Sequence, residues 1–282
     1  MNNLIAPLTE HAKKEADYFD QIYSIADTNQ KASGYIVPQR FIRQVTNPRT
    51  KPLSDREYSM SLLGTLEGKK LLDYGAGDGW NSICFAKAKA KVWAIDISEK
   101  GVELIKKKAI ANNVSNLVSA EVQDCYKTQF PTNMFDIIYG LGILHHLELE
   151  AAGREISRIL NTDGVAVFYE PIRESRIMEF IKAFVLRITK IQRSKETEDE
   201  FPLNAEKIMS LKKHFDYVGY RQFNVVTTAG RFLKSDFIKS NLFLVDTLLM
   251  KIIPGFKKLG LAAVIELRQP KKDCVRLVHS GT

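Results

Sequence analysis

Short apolar strand patterns alternate with helical patterns from residue 70 to residue 169, and this alternation constrains the fold more than any other feature of the chain. The predicted strands cover 70–74, 91–96, 117–122, 134–139 and 164–169. The predicted helices between them cover 80–89, 98–112 and 148–160. Alternating strands and helices form right-handed crossovers, so the sequence predicts an α/β fold with a doubly wound parallel sheet. Such sheets bind ligands beyond the carboxyl ends of their strands.

The segments on either side are less regular. The spacing of apolar residues in 8–28 predicts a helix with one apolar face, formed by Tyr18, Phe19, Ile22 and Ile25. A loop is expected at 46–55, which contains two prolines. After residue 171 the predicted elements are helices at 178–191 and 205–214, a charged loop at 195–200, and strands at 217–227 and 261–268. About thirty residues separate the last two strands, a length that indicates a functional connection.

A glycine-rich turn follows the first strand of the alternating region, in the sequence LLDYGAGDG. Glycine lets the backbone turn sharply and approach a ligand because it has no Cβ. The spacing is G-x-G-x-G, whereas dinucleotide sites prefer G-x-G-x-x-G. Asp73 precedes the first glycine, and its negative charge would repel a pyrophosphate. The turn therefore favours a cationic ligand over a dinucleotide.

Two further carboxylates come at the ends of predicted strands. Asp96 ends the second strand, where a carboxylate can accept hydrogen bonds from both hydroxyls of a ribose. Asp124 follows the third strand, beside Cys125, and can accept a hydrogen bond from an adenine amino group. Because parallel strands end at one edge of the sheet, these groups are expected to face the same site as the glycine-rich turn.

In these segments the chain resembles class I S-adenosylmethionine-dependent methyltransferases, most closely the group called methyltransferase type 11. The resemblance is carried by LLDYGAGDG, AIDIS, VQDC, FDIIYGLGILHHL and ISRILNTDGVAVFYEP, in that order. It covers about residues 68–171, with a weaker fit at 205–268. It implies S-adenosyl-L-methionine as the cofactor and a Rossmann-like sheet of seven strands, in which the last strand lies antiparallel between the fifth and the sixth.

The resemblance also implies which residues bind the cofactor. Those expected at the methionine moiety are Asp73, Gly75, Ala76 and Gly77. Those expected at the nucleoside are Asp96 for the ribose, Ile97 against the adenine, and Asp124 with Cys125 at the adenine amino group. Gly140 and Leu141 are expected to pass close to the sulfonium.

Candidate catalytic residues follow the fourth and fifth strands. His145 and His146 come after the fourth strand, at the ligand edge, and histidine suits a general base near neutral pH. Glu170 ends the fifth strand and is the alternative base. The histidine pair is also frequent in the family as a packing feature. A base is more useful for a hydroxyl acceptor than for a neutral amine, which already has a lone pair.

The remaining segments are expected to contribute to acceptor binding. Residues 1–60 are predicted to form a helical lid, in which Tyr18, Tyr23, Arg40 and Arg43 are candidates to touch cofactor or acceptor. Residues 61–282 are predicted to form the cofactor-binding domain. An apolar and basic insertion at 228–260 either packs as plain helical structure, covers an apolar acceptor or rests on a membrane surface.

Charge is unevenly distributed along the chain. The net charge is +8, and residues 171–282 contain 21 Lys and Arg against 12 Asp and Glu, a net of +9. Three interpretations of this excess of positive charge stay open: a solvated surface, a site for an anionic substrate, or contact with an anionic membrane. Nucleic-acid binding is a weaker interpretation, because stacking aromatics do not accompany the basic residues.

Charged residues and a Pro-Gly pair interrupt the apolar stretch at 242–265, so no transmembrane helix is predicted.

The three cysteines have no metal-ligand spacing, so no metal site is predicted, and a reduced, cytoplasmic setting fits the chain best.

Taken together, the motifs, the resemblance and the composition predict an enzyme that transfers a methyl group from S-adenosyl-L-methionine to an oxygen or nitrogen of a small, partly apolar molecule. The alternatives are methylation of a lipid or lipid-linked acceptor at a membrane, a nucleotide-dependent oxidoreductase, and a cofactor-binding protein without catalysis. The sequence leaves the acceptor and the oligomeric state open.

Overall fold

A seven-stranded mixed sheet forms the centre of the fold. The strands are β1 Lys70–Tyr74, β2 Lys91–Asp96, β3 Val118–Val122, β4 Phe135–Leu141, β5 Leu160–Pro171, β6 Phe215–Phe223 and β7 Ala262–Pro270. They are arranged in the order β3-β2-β1-β4-β5-β7-β6. The first five strands pair in parallel, and β7 is antiparallel to both β5 and β6. This arrangement confirms the predicted doubly wound sheet with its antiparallel insertion.

Helices flank the sheet on both sides. They are α1 Glu10–Thr28, α2 Gln39–Thr46, α3 Asp55–Ser61, α4 Trp80–Lys87, α5 Glu99–Ala111, α6 Leu149–Ile159, α7 Ala205–Ser210 and α8 Asp236–Ile252. The computed structural model describes residues 10–28, 32–47, 55–172, 203–223, 236–253 and 256–272. The predicted helix at 178–191 and the charged loop at 195–200 lie outside the described residues.

Local sequence explains where several helices begin. The Ser98 side chain accepts a hydrogen bond from the backbone N–H of Gly101 and so caps α5. Glu148 caps α6 by accepting from the backbone N–H groups of Glu150 and Ala151. Such caps satisfy N–H groups that have no partner within the first turn. They fix the points at which each helix leaves the ligand edge of the sheet.

Apolar residues on the two faces of the sheet pack into separate cores, because successive side chains of a strand point to opposite faces. Leu71 packs with α2, α3 and α4 residues, whereas the adjacent Leu72 packs with α6 and α7 residues. Both side chains are fully buried. A strand covered on both faces is continuously apolar, and this is why β1 could be recognised in the sequence.

Some predicted boundaries and faces differ from the structure. Strand β5 is longer than the predicted 164–169, and α4 ends before Lys89, which has a φ of +66°. The predicted apolar face of α1 is only partly a packing face, because Phe19 packs against the His146 ring whereas Ile22 and Ile25 are 40% and 64% exposed. The helix also packs on α5, to which its polar side chains hydrogen-bond. Within the described ranges, no helix is long and apolar enough to cross a membrane.

Candidate functional site

The turn between β1 and α4 requires glycine for conformational and steric reasons. Gly75 and Gly77 have φ values of +69° and +58°, in the left-handed region that favours glycine. A Cβ at Gly77 would lie 2.9 Å from the hydroxyl oxygen of Tyr23. Helix α1 therefore lies directly against the turn, and the glycines bring the backbone to the surface of the site.

Asp96 ends β2 and holds the same turn. Its Oδ2 accepts a hydrogen bond from the Gly77 N–H at 2.7 Å, and its Oδ1 accepts one from the Ser98 N–H at 2.9 Å. Burial raises the pKa of the Asp96 carboxyl above its ordinary value, and these backbone hydrogen bonds oppose the shift. Because each carboxylate oxygen has two lone pairs, Asp96 has further capacity to accept hydrogen bonds from ligand hydroxyls.

Asp124 and Cys125 follow β3 beside the same site. The Asp124 carboxylate accepts a hydrogen bond from the Tyr126 N–H at 2.8 Å, which orients it. The hydroxyl of Tyr74 donates a hydrogen bond to the Cys125 carbonyl oxygen. Burial raises the pKa of the Cys125 thiol well above its ordinary value, so the thiol is protonated and is a poor nucleophile. Cys125 can therefore pack against a ligand but is not suited to attack one.

The turn and the strand ends surround a cavity of about 710 Å³. Small-molecule sites typically measure roughly 300–1,000 Å³. The predicted cofactor residues that line it are Gly75, Ala76, Gly77, Asp96, Ile97, Asp124, Cys125 and Leu141. The structure thus brings these residues, which span 67 positions of the chain, to one site at the carboxyl ends of β1 to β4.

Two predicted cofactor residues do not line the cavity. Asp73 is 1% exposed, and its carboxylate accepts a hydrogen bond from the Ser82 hydroxyl at 2.5 Å. Burial raises the pKa of Asp73 to about 7. At Gly140 the Phe168 ring occupies the space beside the backbone, 2.5 Å from where a Cβ would lie. Both residues therefore lie behind the cavity wall. Direct contact of Asp73 and Gly140 with a cofactor stays a prediction.

The N-terminal helices contribute part of the cavity wall. Tyr23 and Phe19 of α1 line the cavity, as does Arg40 of α2. Tyr18 and Arg43 do not line it. The burial of Tyr23 and its proximity to Asp96 raise the pKa of its phenol, so Tyr23 is a neutral hydrogen-bonding group.

The two histidines have different surroundings. His146 lines the cavity, and its Nδ1 lies 3.2 Å from Oε1 of Glu15 on α1. The side chains of His146 and Glu15 are 10% and 13% exposed. His145 does not line the cavity, and its Nδ1 lies 2.8 Å from Oε2 of Glu170. Of the two predicted bases, His146 therefore lies in the cavity wall, whereas His145 lies outside it.

Glu170 occupies a different place from the one expected. It lies within β5, its side chain is fully buried, and it does not line the cavity. Its Oε1 accepts hydrogen bonds from the backbone N–H groups of Ile143 and Leu144, both at 2.9 Å. Its Oε2 faces His145. These contacts engage both oxygens and hold the loop that contains the two histidines, so the geometry favours Glu170 less than His146 as the predicted base.

Several cavity residues were missed by sequence reasoning. Arg56 lines the cavity, and its Nη2 donates a hydrogen bond to Oδ1 of Asn81 at 2.8 Å. Asn81 and Trp80 begin α4 directly after the glycine-rich turn, and this position could have identified them as ligand residues. Arg56 and Glu15 have no comparable signal, because they lie in helices far from the motifs.

A buried lysine holds the far end of the turn. Lys108 of α5 is fully buried and donates hydrogen bonds to Asp78, at 2.6 Å to Oδ2 and 2.8 Å to the carbonyl oxygen. Its Nζ also lies 4.7 Å from the centre of the Trp80 ring. Desolvation lowers the pKa of Lys108, and the Asp78 charge opposes that shift. In the sequence Lys108 resembles an ordinary surface lysine of an amphipathic helix.

Residues 72–168, about a third of the chain, match the family model described as Methyltransferase domain. A relative similar in sequence is the 27-O-demethylrifamycin SV methyltransferase of Amycolatopsis mediterranei, which is 34% identical over 117 residues. That match covers 41% of this chain and 42% of the relative, so the chain spans less than half the length of that protein. The predicted resemblance to class I methyltransferases is therefore confirmed for the central domain.

Solved structures with the same fold cover more of the chain. Geranyl diphosphate C-methyltransferase from Streptomyces coelicolor A3(2), solved with Mg²⁺, geranyl diphosphate and S-adenosyl-L-homocysteine, has a TM-score of 0.57 at 14% identity. It covers 94% of this chain and 100% of that chain. The [4+2]-cyclase SpnF has a TM-score of 0.56 at 14% identity and covers 94% of this chain and 98% of that one. These similarities show the fold, which alone does not determine the reaction.

Proposed function

We propose that this chain, whose residues 72–168 form a methyltransferase domain of the class I fold, transfers a methyl group from S-adenosyl-L-methionine to a small, partly apolar acceptor. The observation that carries the proposal is the joint position of the glycine-rich turn, Asp96 and Asp124 on one cavity. A dinucleotide-dependent oxidoreductase fits less well, because the turn has the spacing G-x-G-x-G and its Gly77 N–H already donates to the Asp96 carboxylate.

The residues of the cavity fit this cofactor. Asp96 has acceptor capacity for ribose hydroxyls, and Asp124 is oriented to accept from an amino group. Ile97 and Cys125 supply apolar surface for an adenine ring. The carboxylates of the cavity also favour a ligand that carries positive charge. The cofactor would supply a methyl group on a sulfonium, so the protein must align the acceptor and, for a hydroxyl, accept its proton.

His146 and Glu15 lie on the wall where an acceptor base is needed. If Glu15 accepts the hydrogen of His146 Nδ1, the basic lone pair of the ring is on Nε2. A carboxylate that holds one tautomer in this way also stabilises the imidazolium formed after proton transfer. This pair supports an oxygen acceptor, while a nitrogen acceptor remains within the proposal. We place His146 in the role of base, with Glu15 as its positioning residue.

Incubation of the protein with methyl-labelled S-adenosyl-L-methionine and pools of small hydroxyl and amine acceptors tests the proposed reaction. We expect label in an apolar organic product and equimolar S-adenosyl-L-homocysteine, detected by chromatography. Matched pairs that differ only in hydroxyl or amine would identify the acceptor atom. A protein that binds the cofactor but labels no member of broad pools, from extracts included, would be assigned to non-catalytic binding or to another reaction of this fold.

The cavity lining supports the division of the chain into an N-terminal lid and a cofactor-binding domain. Residues 1–60 act as the lid and acceptor region, since α1 and α2 supply cavity residues. Residues 61–282 act as the cofactor domain, with an insertion at 228–260 that contains most of α8. The cytoplasmic setting stays a proposal as well.

A membrane-associated acceptor is the second candidate, and the exposed side of α8 favours it. Apolar side chains on one side of this helix are 44% to 64% exposed, namely Ile238, Leu244, Val245, Leu248 and Ile252. Asp246 and Met250, on the other side, are buried. An exposed apolar helix face in a segment of high positive charge suits an anionic lipid surface. The net charge of +9 in residues 171–282 supplies that complementarity.

Sedimentation with vesicles tests this second candidate. We expect the protein to bind phosphatidylglycerol-containing vesicles at low salt and to be released as salt rises, because screening weakens surface electrostatics. Leu248→Asp should abolish binding, since it places a charge in the apolar face. Ile110→Asp, at a 69% exposed apolar position of α5, is the matched control and should bind normally. Binding that ignores lipid charge, or equal behaviour of the two variants, would leave a soluble acceptor as the better proposal.

A further inference from the structure

Helix α1, the glycine-rich turn and the first turn of α5 meet beside the cavity. A Cβ at Gly101 of α5 would lie 2.8 Å from the carbonyl oxygen of Gly77 and 3.2 Å from Cε2 of Tyr23 on α1. The three segments therefore pack too closely for a larger side chain at this position. We call this region the lid junction, and it also contains Asp20 of α1 and Ser98, the cap of α5.

A chain of hydrogen bonds crosses the lid junction from α1 to the cavity. The Ser98 hydroxyl donates a hydrogen bond to Oδ1 of Asp20. The Ser98 backbone N–H donates to Oδ1 of Asp96 at 2.9 Å, and Oδ2 of Asp96 accepts from the Gly77 N–H. Asp96 lines the cavity, whereas Asp20 and Ser98 do not. Asp20 is therefore connected to a cavity carboxylate through a single residue.

Ser98 is the link in this chain, and each of its polar groups has one partner there. Its Oγ accepts from the Gly101 N–H at 2.9 Å, its hydroxyl hydrogen goes to Asp20, and its backbone N–H goes to Asp96. Ser98 is fully buried. A buried hydroxyl that loses its acceptor is unfavourable, so without Asp20 the hydroxyl would rotate toward another acceptor and weaken the cap of α5.

Two carboxylates share the N-terminus of α5. Asp20 Oδ1 also accepts from the Lys100 N–H at 3.1 Å, next to the contact between Ser98 and Asp96. The partial positive charge of the helix N-terminus stabilises both carboxylates. Burial raises the pKa of the Asp96 carboxyl, and the charge of Asp20 adds to that increase. Removing the Asp20 charge would therefore favour ionised Asp96, so a loss of affinity on removing Asp20 points to the hydrogen bonds.

We propose that Asp20 is a positioning residue for cofactor binding, which holds Ser98 so that Asp96 is oriented toward the ribose hydroxyls. This inference rests on the proposed cofactor. It gives a role in cofactor binding to a residue that precedes Ser98 by 78 positions and lies outside the family match. Because α1 also carries Glu15 beside His146, one helix would orient both the ribose carboxylate and the proposed base.

The competing explanation is that Asp20 only attaches α1 to α5. Asp27 of the same helix makes a comparable attachment, because its Oδ2 accepts from Nζ of Lys107 on α5 at 2.5 Å. The contact that Asp27 makes on α5 is more than two helical turns away from Ser98 in the sequence of that helix. If attachment alone mattered, loss of either aspartate would weaken cofactor binding equally. If Asp20 acts through Ser98, only its loss should do so.

The experiment measures by calorimetry the affinity of S-adenosyl-L-homocysteine and of its 2′,3′-dideoxy analogue, which lacks the ribose hydroxyls. For Asp20→Ala we expect the affinity for S-adenosyl-L-homocysteine to fall about 5- to 30-fold, within the range for residues that act on a site without touching the ligand. The affinity for the analogue should not change. Asp20→Asn should keep most of the affinity, because its amide oxygen can still accept from Ser98. Asp27→Ala is the matched control and should bind both ligands normally.

A double-mutant cycle with Asp96→Ala provides a second readout that does not depend on the analogue. Asp20→Ala should weaken binding of S-adenosyl-L-homocysteine in the unaltered protein but cause no further loss in Asp96→Ala, because Asp20 acts through Asp96. Thermal unfolding of each variant verifies that it folds. Unchanged affinity in Asp20→Ala, equal losses in Asp20→Ala and Asp27→Ala, or additive losses in the cycle would overturn the inference and leave the proposed cofactor intact. Failure of the unaltered protein to bind S-adenosyl-L-homocysteine would instead refute the proposed cofactor and, with it, the inference.

Discussion

Replacing His146 with alanine is expected to lower kcat for a hydroxyl acceptor by about 10²- to 10⁴-fold, which is the usual contribution of a general base. His146 lines the cavity and is oriented by Glu15, so its Nε2 would take the hydroxyl proton as the methyl group bonds to oxygen and the sulfonium becomes a thioether. Affinity for S-adenosyl-L-homocysteine should not change, because the predicted cofactor residues remain.

Initial rates at saturating cofactor, across about pH 6 to 9, provide the measurement. The unaltered protein should gain activity as the imidazole loses its proton, and His146→Ala should lose that rise. Glu15→Gln should lower kcat less than His146→Ala, since glutamine can hold the ring but cannot stabilise the imidazolium by charge. His145→Ala is the matched control, because His145 hydrogen-bonds Glu170 and does not line the cavity. A His146→Ala variant with the normal rate and pH profile would exclude the base and favour an amine acceptor.

Replacing Asp96 with alanine is expected to weaken cofactor binding by about 10- to 100-fold, because hydrogen bonds to a charged group contribute about 1.5–3 kcal/mol. The loss has two sources: the proposed ribose contacts and the hydrogen bond that holds Gly77. Asp96→Asn separates them in part, since the amide retains one acceptor oxygen. Calorimetry with S-adenosyl-L-homocysteine measures both variants.

A matched control for Asp96 lies at the opposite edge of the sheet. The Asp136 carboxylate also accepts hydrogen bonds from a backbone N–H and a side-chain amide, those of Lys70 and Asn161, both at 2.9 Å. Asp136 does not line the cavity. Asp136→Ala should therefore lower the free energy of unfolding without changing ligand affinity. If Asp96→Ala binds as tightly as the unaltered protein, the ribose assignment is wrong.

The parts of the site that could be predicted are those encoded by local sequence. A buried strand followed by glycines specifies both a turn and its position at the sheet edge, because each feature depends on neighbouring residues. Asp96 and Asp124 follow from the same reasoning, since each directly ends or follows a strand. The histidine pair was found in this way too, although its position in the sequence could not reveal which ring faces the cavity.

The remainder depends on contacts between distant segments. His146 and Glu15 are 131 residues apart, and their pairing requires that α1 cross the ligand edge. The apolar pattern of α1 was only partly informative, because the packing of this helix is also set by polar contacts such as that between Asp27 and Lys107 of α5. The buried position of Glu170 could not be predicted, because β5 extends beyond the predicted end and places the carboxylate beneath the loop to which it hydrogen-bonds.

Titration of the unaltered protein with S-adenosyl-L-homocysteine and, separately, with NAD⁺ tests the central claim most directly. We predict saturable heat with S-adenosyl-L-homocysteine, none with NAD⁺, and thermal stabilisation by the first ligand alone. At a ligand concentration of about 100 times Kd, the stabilisation should approach 2.7 kcal/mol, about the value that linkage requires for one site. Binding of NAD⁺ in preference to S-adenosyl-L-homocysteine, or the absence of both heat and stabilisation with S-adenosyl-L-homocysteine, would contradict the proposed cofactor and the reaction that depends on it.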